Sequence, residues 1–414
     1  MRPSDWLKTA VILASGLGVF GCGSNPPQLP SPEATPKSAV EGTLVFHLSD
    51  TIKVRIPTNR SPEKLVLKNG AERLVLLPID SACYRVPVFD GMLCLEREGQ
   101  GSWTDVLRTG ETPYTVDIEF IEEKVGGSLN GEWTSNETWR MAFGNEDPWF
   151  GDLVLNRSSK GQLKGTIETA TGDFRYLHGE ETNGMLTLQT FDGAHLFHFS
   201  ANTSITDSLV DGVFSSGNHY QTPFTAHLKS DSDAPLASGN QAVWTQVPIG
   251  YAGKDLLGNP TEWVWSASDS AVHVLSVMGS WCPNCMDEHR LLADLMKSNP
   301  QMHVHTLAFE RGLDRVNGEK MALNRLKQYS ESMELWRYPN RWHVNLIGPA
   351  SKTEAQKRLP FLDKVVSFPT SIVLVPGANQ PWIHSGFNGP ATGEKHELER
   401  NRFTQVINGL QESR

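Results

Sequence analysis

The sequence lacks several features that would place it in common functional classes. Its lysines and arginines form no long run and its formal net charge is −10, which argues against a nucleic-acid partner and a polybasic membrane anchor. It contains no Walker-type phosphate loop and no Cys-x-x-Cys-His haem motif. Of its five cysteines only two have Cys-x-x-Cys spacing, and a structural zinc site needs a second ligand pair. No metal or cofactor is therefore expected.

The amino terminus has the pattern of a processing signal. Arg2 and Lys8 precede an apolar run at Thr9–Phe20, which is too short to span a bilayer but has the length of a signal-peptide core. The run leads to Cys22 in a context that resembles a bacterial lipobox. We therefore expect a lipoprotein signal peptide at residues 1–21, lipidation of Cys22 and a proline-rich tether at residues 22–41. An ordinary signal peptide is the alternative; either one exports the chain to the periplasm or cell envelope.

The remaining cysteines then form two pairs. If Cys22 carries a lipid, four cysteines remain, and an exported protein should not leave an odd free thiol. Cys83 and Cys94 are the expected structural disulfide, which would stabilise the fold by roughly 3 kcal/mol. A tight turn at Asp90-Gly91 would not place the two cysteines opposite each other, so a wider loop is required.

The first half of the chain has the pattern of an all-β protein. Short alternating runs between about residues 42 and 229 are separated by Gly, Asn, Asp and Ser, as in antiparallel sandwiches and barrels. A break at Gly126-Gly127-Ser128 divides this stretch into a β module at residues 42–125 and a second at residues 126–235. Ser230–Pro235 is the expected linker to the next domain.

Residues 243–414 alternate between predicted strands and helices, which is typical of α/β domains. An apolar run at Val272–Met278 leads into Trp281-Cys282-Pro283-Asn284-Cys285 at the start of a predicted helix. Helix N–H groups and the positive end of the helix dipole favour a thiolate at Cys282. Cys285 lies one turn further and can resolve a mixed disulfide. The alternatives are a permanent disulfide and half of a zinc site.

The stretch from about residue 245 to 414 resembles the thioredoxin-like domain of TlpA/ResA-type periplasmic thiol–disulfide oxidoreductases. The residues that carry the resemblance are Trp281–Cys285, Leu307-Ala308-Phe309-Glu310, Phe368-Pro369-Thr370 and Gly386-Phe387-Asn388-Gly389-Pro390. Thr171–Tyr176 and Phe191–His195 look like the β extension that precedes this domain in some TlpA-like lipoproteins. The resemblance implies an α/β thioredoxin-like C-terminal domain preceded by an all-β N-terminal region, an antiparallel sandwich or barrel.

The same resemblance implies a set of substrate-facing residues around the cysteines, namely Trp281, Pro283, Asn284, Phe368, Pro369 and Thr370. Among them, Pro369 would be a cis-proline that holds the backbone of Phe368 open for a substrate strand and keeps metals off the thiols. Trp281 would shield the disulfide. A trans-proline at a strand start is the alternative for Pro369.

A proton acceptor for Cys285 is harder to place. Thioredoxin carries a buried acid in the strand before its cysteines, and here that position lies around Ser276, which cannot accept a proton at neutral pH. Glu310, at the end of the next predicted strand, is the expected replacement as a partly buried carboxylate. A solvated charge at the strand end is the alternative.

The histidines suggest no further chemistry at this stage. His195 and His198 are three residues apart in a predicted strand, so they would face opposite sides and could not chelate together. His303 and His305 share a face but lack an evident third ligand. His289 is expected on the surface of its helix.

Together these features predict an envelope thiol–disulfide oxidoreductase, lipid-anchored to a membrane, that reduces protein disulfides. By resemblance, a membrane electron donor of the DsbD/CcdA type would re-reduce it, and relatives often serve cytochrome c maturation. One alternative is an oxidase or isomerase that uses the same site. The other is a binding protein, in which the β region captures a ligand and the thioredoxin-like part only docks.

Overall fold

Three β-sheets follow one another along the chain. The computed structural model describes residues 39–105, 114–122, 132–236, 241–266 and 268–409. The predicted signal peptide, Cys22, residues 22–38 of the tether and the break at residues 126–128 lie outside these described ranges.

The first sheet is a closed antiparallel barrel in which each strand pairs with the next and the last pairs with the first. Alternation explains its interior: in the second strand Val54 and Ile56 are buried and Arg55 is exposed, as period-two side-chain alternation requires. A short 3-10 helix, Arg97–Gly99, precedes the seventh strand. The strands are β1 (Val40–His47), β2 (Lys53–Arg60), β3 (Leu65–Asn69), β4 (Glu72–Pro78), β5 (Cys83–Val86), β6 (Gly91–Leu95), β7 (Gln100–Asp105) and β8 (Tyr114–Glu122).

A disulfide crosslinks the β5–β6 hairpin of this barrel. Cys83 and Cys94 are directly opposed in the hairpin register and are bonded, with their Cα atoms 4.0 Å apart. The register is set by a loop at residues 87–90, in which Val88 and Asp90 adopt positive φ angles of 71° and 52°. The wider loop that the sequence required is therefore present.

Replacing both Cys83 and Cys94 with alanine should lower the free energy of unfolding by roughly 3 kcal/mol, because the crosslink restricts the unfolded chain. Urea unfolding of the oxidised wild type and the double variant measures this as a shift in midpoint. Equal midpoints would show that the hairpin is held by its strand pairing alone.

The second sheet is antiparallel throughout and also closes on itself. Its order is β10-β9-β17-β16-β15-β14-β13-β11-β12, and β10 pairs with β11 as well. Its interior is a separate apolar cluster rich in Phe and Leu. The strands are β9 (Trp133–Phe143), β10 (Trp149–Ser158), β11 (Gln162–Thr169), β12 (Gly172–Asp173), β13 (Leu177–Thr182), β14 (Met185–Phe191), β15 (Leu196–Asn202), β16 (Ser208–Ser216) and β17 (Tyr220–Leu228).

The third sheet has seven strands in the order β19-β18-β22-β21-β20-β23-β24. Its three central strands, β20, β21 and β22, are parallel, and the outer pairings are antiparallel. Two short 3-10 helices, Leu335–Arg337 and Pro390–Thr392, also occur here. The elements are β18 (Gly250–Lys254), β19 (Pro260–Val264), β20 (Val272–Met278), α1 (Pro283–Ser298), β21 (Met302–Glu310), α2 (Gly318–Ser332), β22 (Trp342–Pro349), α3 (Lys352–Arg358), β23 (Thr370–Leu374), β24 (Trp382–Ser385) and α4 (Glu394–Ile407).

Both faces of the third sheet are buried, which explains why five of the seven residues of β20 are apolar. Val274 and Met278 belong to a core that includes α1 and continues into the first barrel. Leu275 and Val277 point to the opposite face and pack in a second core with Phe361. The third sheet is therefore packed between two apolar cores, one of which continues into the first barrel.

Candidate active site

The two cysteines of the Cys-x-x-Cys motif lie where β20 passes into α1. Cys282 is the N-cap of α1 and Pro283 is its first residue, a position that proline tolerates because its missing N–H would be unpaired there. The cysteines are joined in a disulfide with Cα atoms 5.3 Å apart. Cys282 is 6% exposed and Cys285 is fully buried. Only Cys282 is therefore accessible to an incoming sulfur atom, while Cys285 lies behind it.

Two backbone groups contact the sulfur of Cys282. The N–H of Cys285 donates to Sγ at 3.2 Å, and the carbonyl oxygen of Phe368 lies 3.5 Å away. After reduction, the N–H group and the α1 dipole favour the thiolate, whereas the carbonyl oxygen can only accept a hydrogen bond from the thiol. The site can thus stabilise both protonation states of Cys282.

Of the residues expected to face a substrate, Trp281 and Phe368 contact each other at the site, whereas Thr370 lies in the protein interior. Trp281 is held by a hydrogen bond from its Nε1 to the Phe309 carbonyl oxygen at 2.9 Å, and its ring meets the edge of Phe368 at 5.4 Å. The Phe368–Pro369 peptide bond is cis. Thr370 does not face the site: it is fully buried, and its hydroxyl donates to the Ser367 carbonyl oxygen at 2.9 Å.

The Glu310 carboxylate is engaged by Ser280 and Arg325, and its expected role as proton acceptor for Cys285 stays a prediction. It is fully buried, and its carboxylate accepts the N–H and the hydroxyl of Ser280, both at 2.8 Å. The Arg325 guanidinium of α2 lies 3.4 Å from the same carboxylate. No hydrogen bond of the described residues joins Glu310 to either cysteine. Glu310 lies at the end of β21, as expected, and its bonds to Ser280 anchor the loop before Trp281.

Glu288, which the sequence analysis missed, is a buried acid in the helix that begins at the two cysteines. It is fully buried in α1, three residues after Cys285, a spacing that brings side chains together on one helix face. Its carboxyl group accepts the hydroxyls of Ser276 at 2.5 Å and Ser371 at 2.6 Å. Burial raises the pKa of Glu288 to about 7. The acid that position 276 lacks is thus supplied from the helix, with Ser276 as its partner.

His289 is buried and not on the helix surface, contrary to the sequence-based expectation. Its Nε2 pairs with the Ser276 hydroxyl at 3.0 Å and its Nδ1 with the Tyr329 hydroxyl at 2.6 Å. Burial lowers the pKa of His289 to about 3, so the ring is neutral at physiological pH. Its position four residues after Cys285 already puts it on the buried face of α1.

Replacing Glu288 with glutamine should flatten the pH dependence of stability. Between its usual pKa of 4.5 and its folded value of about 7, the unfolded chain releases this proton while the folded protein keeps it. The free energy of unfolding therefore falls as pH rises through that window, by up to about 3 kcal/mol. Urea unfolding at pH 5 and pH 8 should show this fall in the wild type and a smaller fall in E288Q, in which Asp173, whose pKa burial raises to about 6, still contributes.

The matched control is Glu331→Gln on the exposed face of α2, which should leave the wild-type pH dependence unchanged. An E288Q variant that loses stability between pH 5 and pH 8 as steeply as the wild type would contradict the assignment.

Two loops of the second sheet, which we call the cover loops, reach the cysteine site. The first is Thr171–Tyr176, which contains β12 and leads into β13, and the second is Phe191–His195, which runs from the last residue of β14 to the start of β15. Within the first, the carbonyl oxygen of Asp173 accepts the Asn284 side-chain amide at 3.0 Å, and its carboxylate accepts the Gly389 N–H at 2.8 Å. The sequence linked both segments to a β extension but not to the redox site.

Close approach explains the glycine in the first cover loop. Gly172 has φ +148° and forms a parallel bridge with Phe387. A Cβ atom there would lie 2.5 Å from the Asn284 side-chain nitrogen, closer than side chains tolerate. Gly172 thus permits the β region to contact the residue between the two cysteines.

Arg175 is the main polar link between the cover loops and α1. It is 5% exposed, and it donates to the Pro283 carbonyl oxygen at 3.0 Å and to the Asp287 carboxylate. Its other terminal nitrogen bonds Glu72 at the start of β4. Burial raises the pKa of Glu72, although Arg175 opposes the shift. One guanidinium thus joins both barrels to the redox helix.

The histidines of the third sheet form a hydrogen-bonded cluster. His273 pairs with His305 at 3.0 Å and with Asp269 at 2.8 Å, and Tyr251 pairs with His305 at 2.9 Å. Burial lowers the pKa of His305 to about 2. His198 is buried in β15, and His195 lies just before that strand. Within the described ranges, no three His, Cys, Asp or Glu side chains are arranged to hold a metal ion.

No helix in the described part of the chain is long and apolar enough to cross a bilayer. No protein-family model matches the sequence, and a search of curated proteins found no match.

Several solved structures are similar to part of this chain. DsbF of Mycobacterium tuberculosis is 13% identical, with a TM-score of 0.26, over 39% of this chain and 96% of that one. A putative thiol:disulfide interchange protein DsbE from Chlorobium tepidum is 18% identical, with a TM-score of 0.26, over 42% and 99%. A thiol-disulfide oxidoreductase from Bacteroides fragilis is 18% identical, with a TM-score of 0.24, over 36% and 96%. At TM-scores of this size the similarity carries no argument about fold or activity.

Proposed function

We propose that this protein is a thiol–disulfide oxidoreductase that reduces disulfide bonds through Cys282 and Cys285. One observation carries the proposal: the accessible sulfur of Cys282 caps α1 while its partner Cys285 is buried behind it. A permanent structural disulfide would need neither the helix N-terminus nor the open side at Cys282.

The site supports a two-step exchange. The Cys282 thiolate attacks a substrate disulfide, so a new S–S bond forms and the first substrate sulfur leaves as a thiolate that takes a proton. Cys285 then attacks the sulfur of Cys282, which releases the second substrate thiol and closes the Cys282–Cys285 disulfide. Glu288 is the group on the Cys285 face that can accept its proton. The substrate gains two electrons and two protons, and the protein loses them.

The direction of exchange and the cellular setting extend this proposal from the sequence. The resemblance to TlpA/ResA-type proteins favours reduction of protein disulfides, with re-reduction by a membrane donor of the DsbD/CcdA type and a place in cytochrome c maturation. The apolar run before Cys22 favours export and a lipid anchor in the cell envelope. An oxidase or isomerase using the same cysteines is the competing direction.

The experiment is a turnover assay on the purified full-length chain in both directions. Dithiothreitol supplies electrons for reduction of a peptide disulfide. In a second reaction, glutathione disulfide accepts electrons while oxidation of a reduced peptide is followed. The proposal expects catalysed reduction that exceeds catalysed oxidation and disappears in Cys282→Ala. Catalysis of oxidation alone would assign the opposite direction, and catalysis of neither would leave a binding role for the fold.

A further inference from the structure

A small cavity lies between the cover loops and the accessible cysteine. Its volume is about 220 Å³, and its walls include Arg175, Asp192 and His195 from the β region and Cys282 and Phe368 from the third sheet region. Cavities for drug-sized ligands measure roughly 300–1,000 Å³. This cavity is therefore large enough for a narrow substrate, about as wide as one amino-acid side chain, beside the sulfur of Cys282.

His195 is fixed in this cavity by Asp192. One carboxylate oxygen of Asp192 accepts the N–H groups of Ala194 at 2.9 Å and His195 at 2.7 Å, and the other lies 3.1 Å from the His195 Nδ1. Burial opposes the charge on Asp192, but His195, Arg175 and the Ala194 N–H together outweigh it and hold the pKa of Asp192 below its usual value. A carboxylate at Nδ1 holds the proton on that nitrogen and leaves Nε2 to act as acid or base.

Packing adds to this orientation. The His195 ring stacks on Phe197 with centroids 5.0 Å apart and planes 12° apart. The ring is therefore held on one face by an aromatic side chain and at one edge by Asp192. General acid–base groups need such fixed positions to act on a reacting atom.

A second group in the cavity wall lacks a partner. Arg175 is 5% exposed, and its Nε–H has no hydrogen-bond partner among the described residues. Its terminal nitrogens are occupied by Pro283, Asp287 and Glu72. A buried donor left unpaired is costly, and Arg175 keeps this arrangement through the hydrogen bonds of its terminal nitrogens.

We propose that the cover loops form a substrate subsite over Cys282, in which His195, oriented by Asp192, transfers the proton during exchange with a disulfide on a narrow chain. The substrate is a low-molecular-mass disulfide or a cystine on an extended peptide. Both present an S–S bond on a chain narrow enough to enter this cavity. The inference rests on the proposed function and names the substrate class and a catalytic residue for it.

The proton balance follows from the two-step exchange. His195 Nε2 takes the proton of the Cys282 thiol as the sulfur attacks, and the S–S bond of the substrate breaks. The resulting imidazolium gives that proton to the leaving substrate thiolate. The histidine is unchanged after the step, and no other oxidant or reductant is required.

The test compares wild type, His195→Gln and a matched control in reduction of hydroxyethyl disulfide with dithiothreitol as the electron donor, and kcat/KM is measured from pH 5 to pH 9. The control is His227→Gln, since His227 forms a similar pair with Asp233 at 2.8 Å but does not line the cavity. H195Q should lose about 100-fold or more in kcat/KM and one inflection of the pH profile. H227Q should keep both.

A second variant removes the group that orients His195 and leaves the imidazole in place. Asp192→Asn should lower kcat/KM and shift the same inflection, and urea unfolding will show whether either variant remains folded. The series is repeated with an extended peptide that carries a disulfide. Of the two substrates, the one that the wild type reduces faster is assigned to the cavity, and its kcat/KM should fall further in H195Q. Folded H195Q with the wild-type rate and pH profile on both substrates would overturn this inference alone, whereas a wild type that reduces neither would overturn the proposed function.

Discussion

The Cys285→Ala variant is expected to accumulate a covalent mixed disulfide between Cys282 and its substrate. Cys282 retains the helix N-terminus, the Cys285 backbone N–H at 3.2 Å and its exposure, so attack on a substrate disulfide still occurs. The second step is lost because no sulfur lies behind Cys282 to displace the substrate. Turnover should fall by at least about 1,000-fold, a loss of roughly 4 kcal/mol in transition-state stabilisation.

Non-reducing gel electrophoresis and intact mass spectrometry detect the adduct after incubation of the reduced variant with a peptide disulfide. Cys282→Ala should form no adduct, because the buried Cys285 cannot reach substrate. The Cys83→Ala/Cys94→Ala double variant should form none and should turn over normally. Adduct formation in C282A, or wild-type turnover in C285A, would reverse the roles assigned to the two cysteines.

The second large effect is expected from Arg175→Met. The side chain is buried between Asp287, Glu72 and the Pro283 carbonyl oxygen. Its loss leaves the largely buried Glu72 carboxylate without its cation and leaves Asp287 with only Arg290, which is 52% exposed. Removal of one partner from a buried ion pair costs roughly 3–5 kcal/mol. Urea unfolding should show a corresponding drop in midpoint at unchanged slope.

Arg337→Met is the matched control, since Arg337 pairs with Glu334 at 2.7 Å while both side chains are more than half exposed. Exposed pairs contribute about 0–1 kcal/mol, so this variant should unfold close to the wild-type midpoint. If R175M were as stable as R337M, the link between the barrels and the redox helix would contribute nothing to stability.

Local patterns in the sequence were sufficient to locate the cysteine site. The apolar run of β20, the apolar spacing of Leu291, Leu292 and Leu295, and proline after Cys282 all act within one turn or one strand. These signals place Cys282 at the start of a helix without any information about tertiary contacts. The opposed positions of Cys83 and Cys94 were likewise within reach, because hairpin register depends on a short loop.

The acid of the site could not be placed by the same means. A strand end is visible in the sequence, but the side chain of Glu310 points to Ser280 and Arg325, and α2 supplies that arginine from elsewhere in the chain. Glu288 was readable from its i, i+3 spacing to Cys285. Its burial, however, depends on Ser371, 83 residues further along the chain.

The covering of the site by the β region lay beyond sequence reasoning altogether. Arg175 and Pro283 are 108 residues apart, and Arg175 and Asp287 are 112 apart. No periodicity or propensity reports contacts at such separations; they follow from how the barrels pack on the third sheet. His195 therefore looked like one more strand residue until the fold placed it at the cavity beside Cys282.

The most direct measurement is the equilibrium reduction potential of the Cys282/Cys285 couple in the full-length chain. Titration against defined thiol–disulfide buffers, read by mass after alkylation, counts the electrons and sets the midpoint. We expect a single two-electron transition near or below that of thioredoxin, about −270 mV. A midpoint near about −120 mV, the range of a strong oxidant, or a disulfide that does not cycle, would contradict the proposal of a reductant.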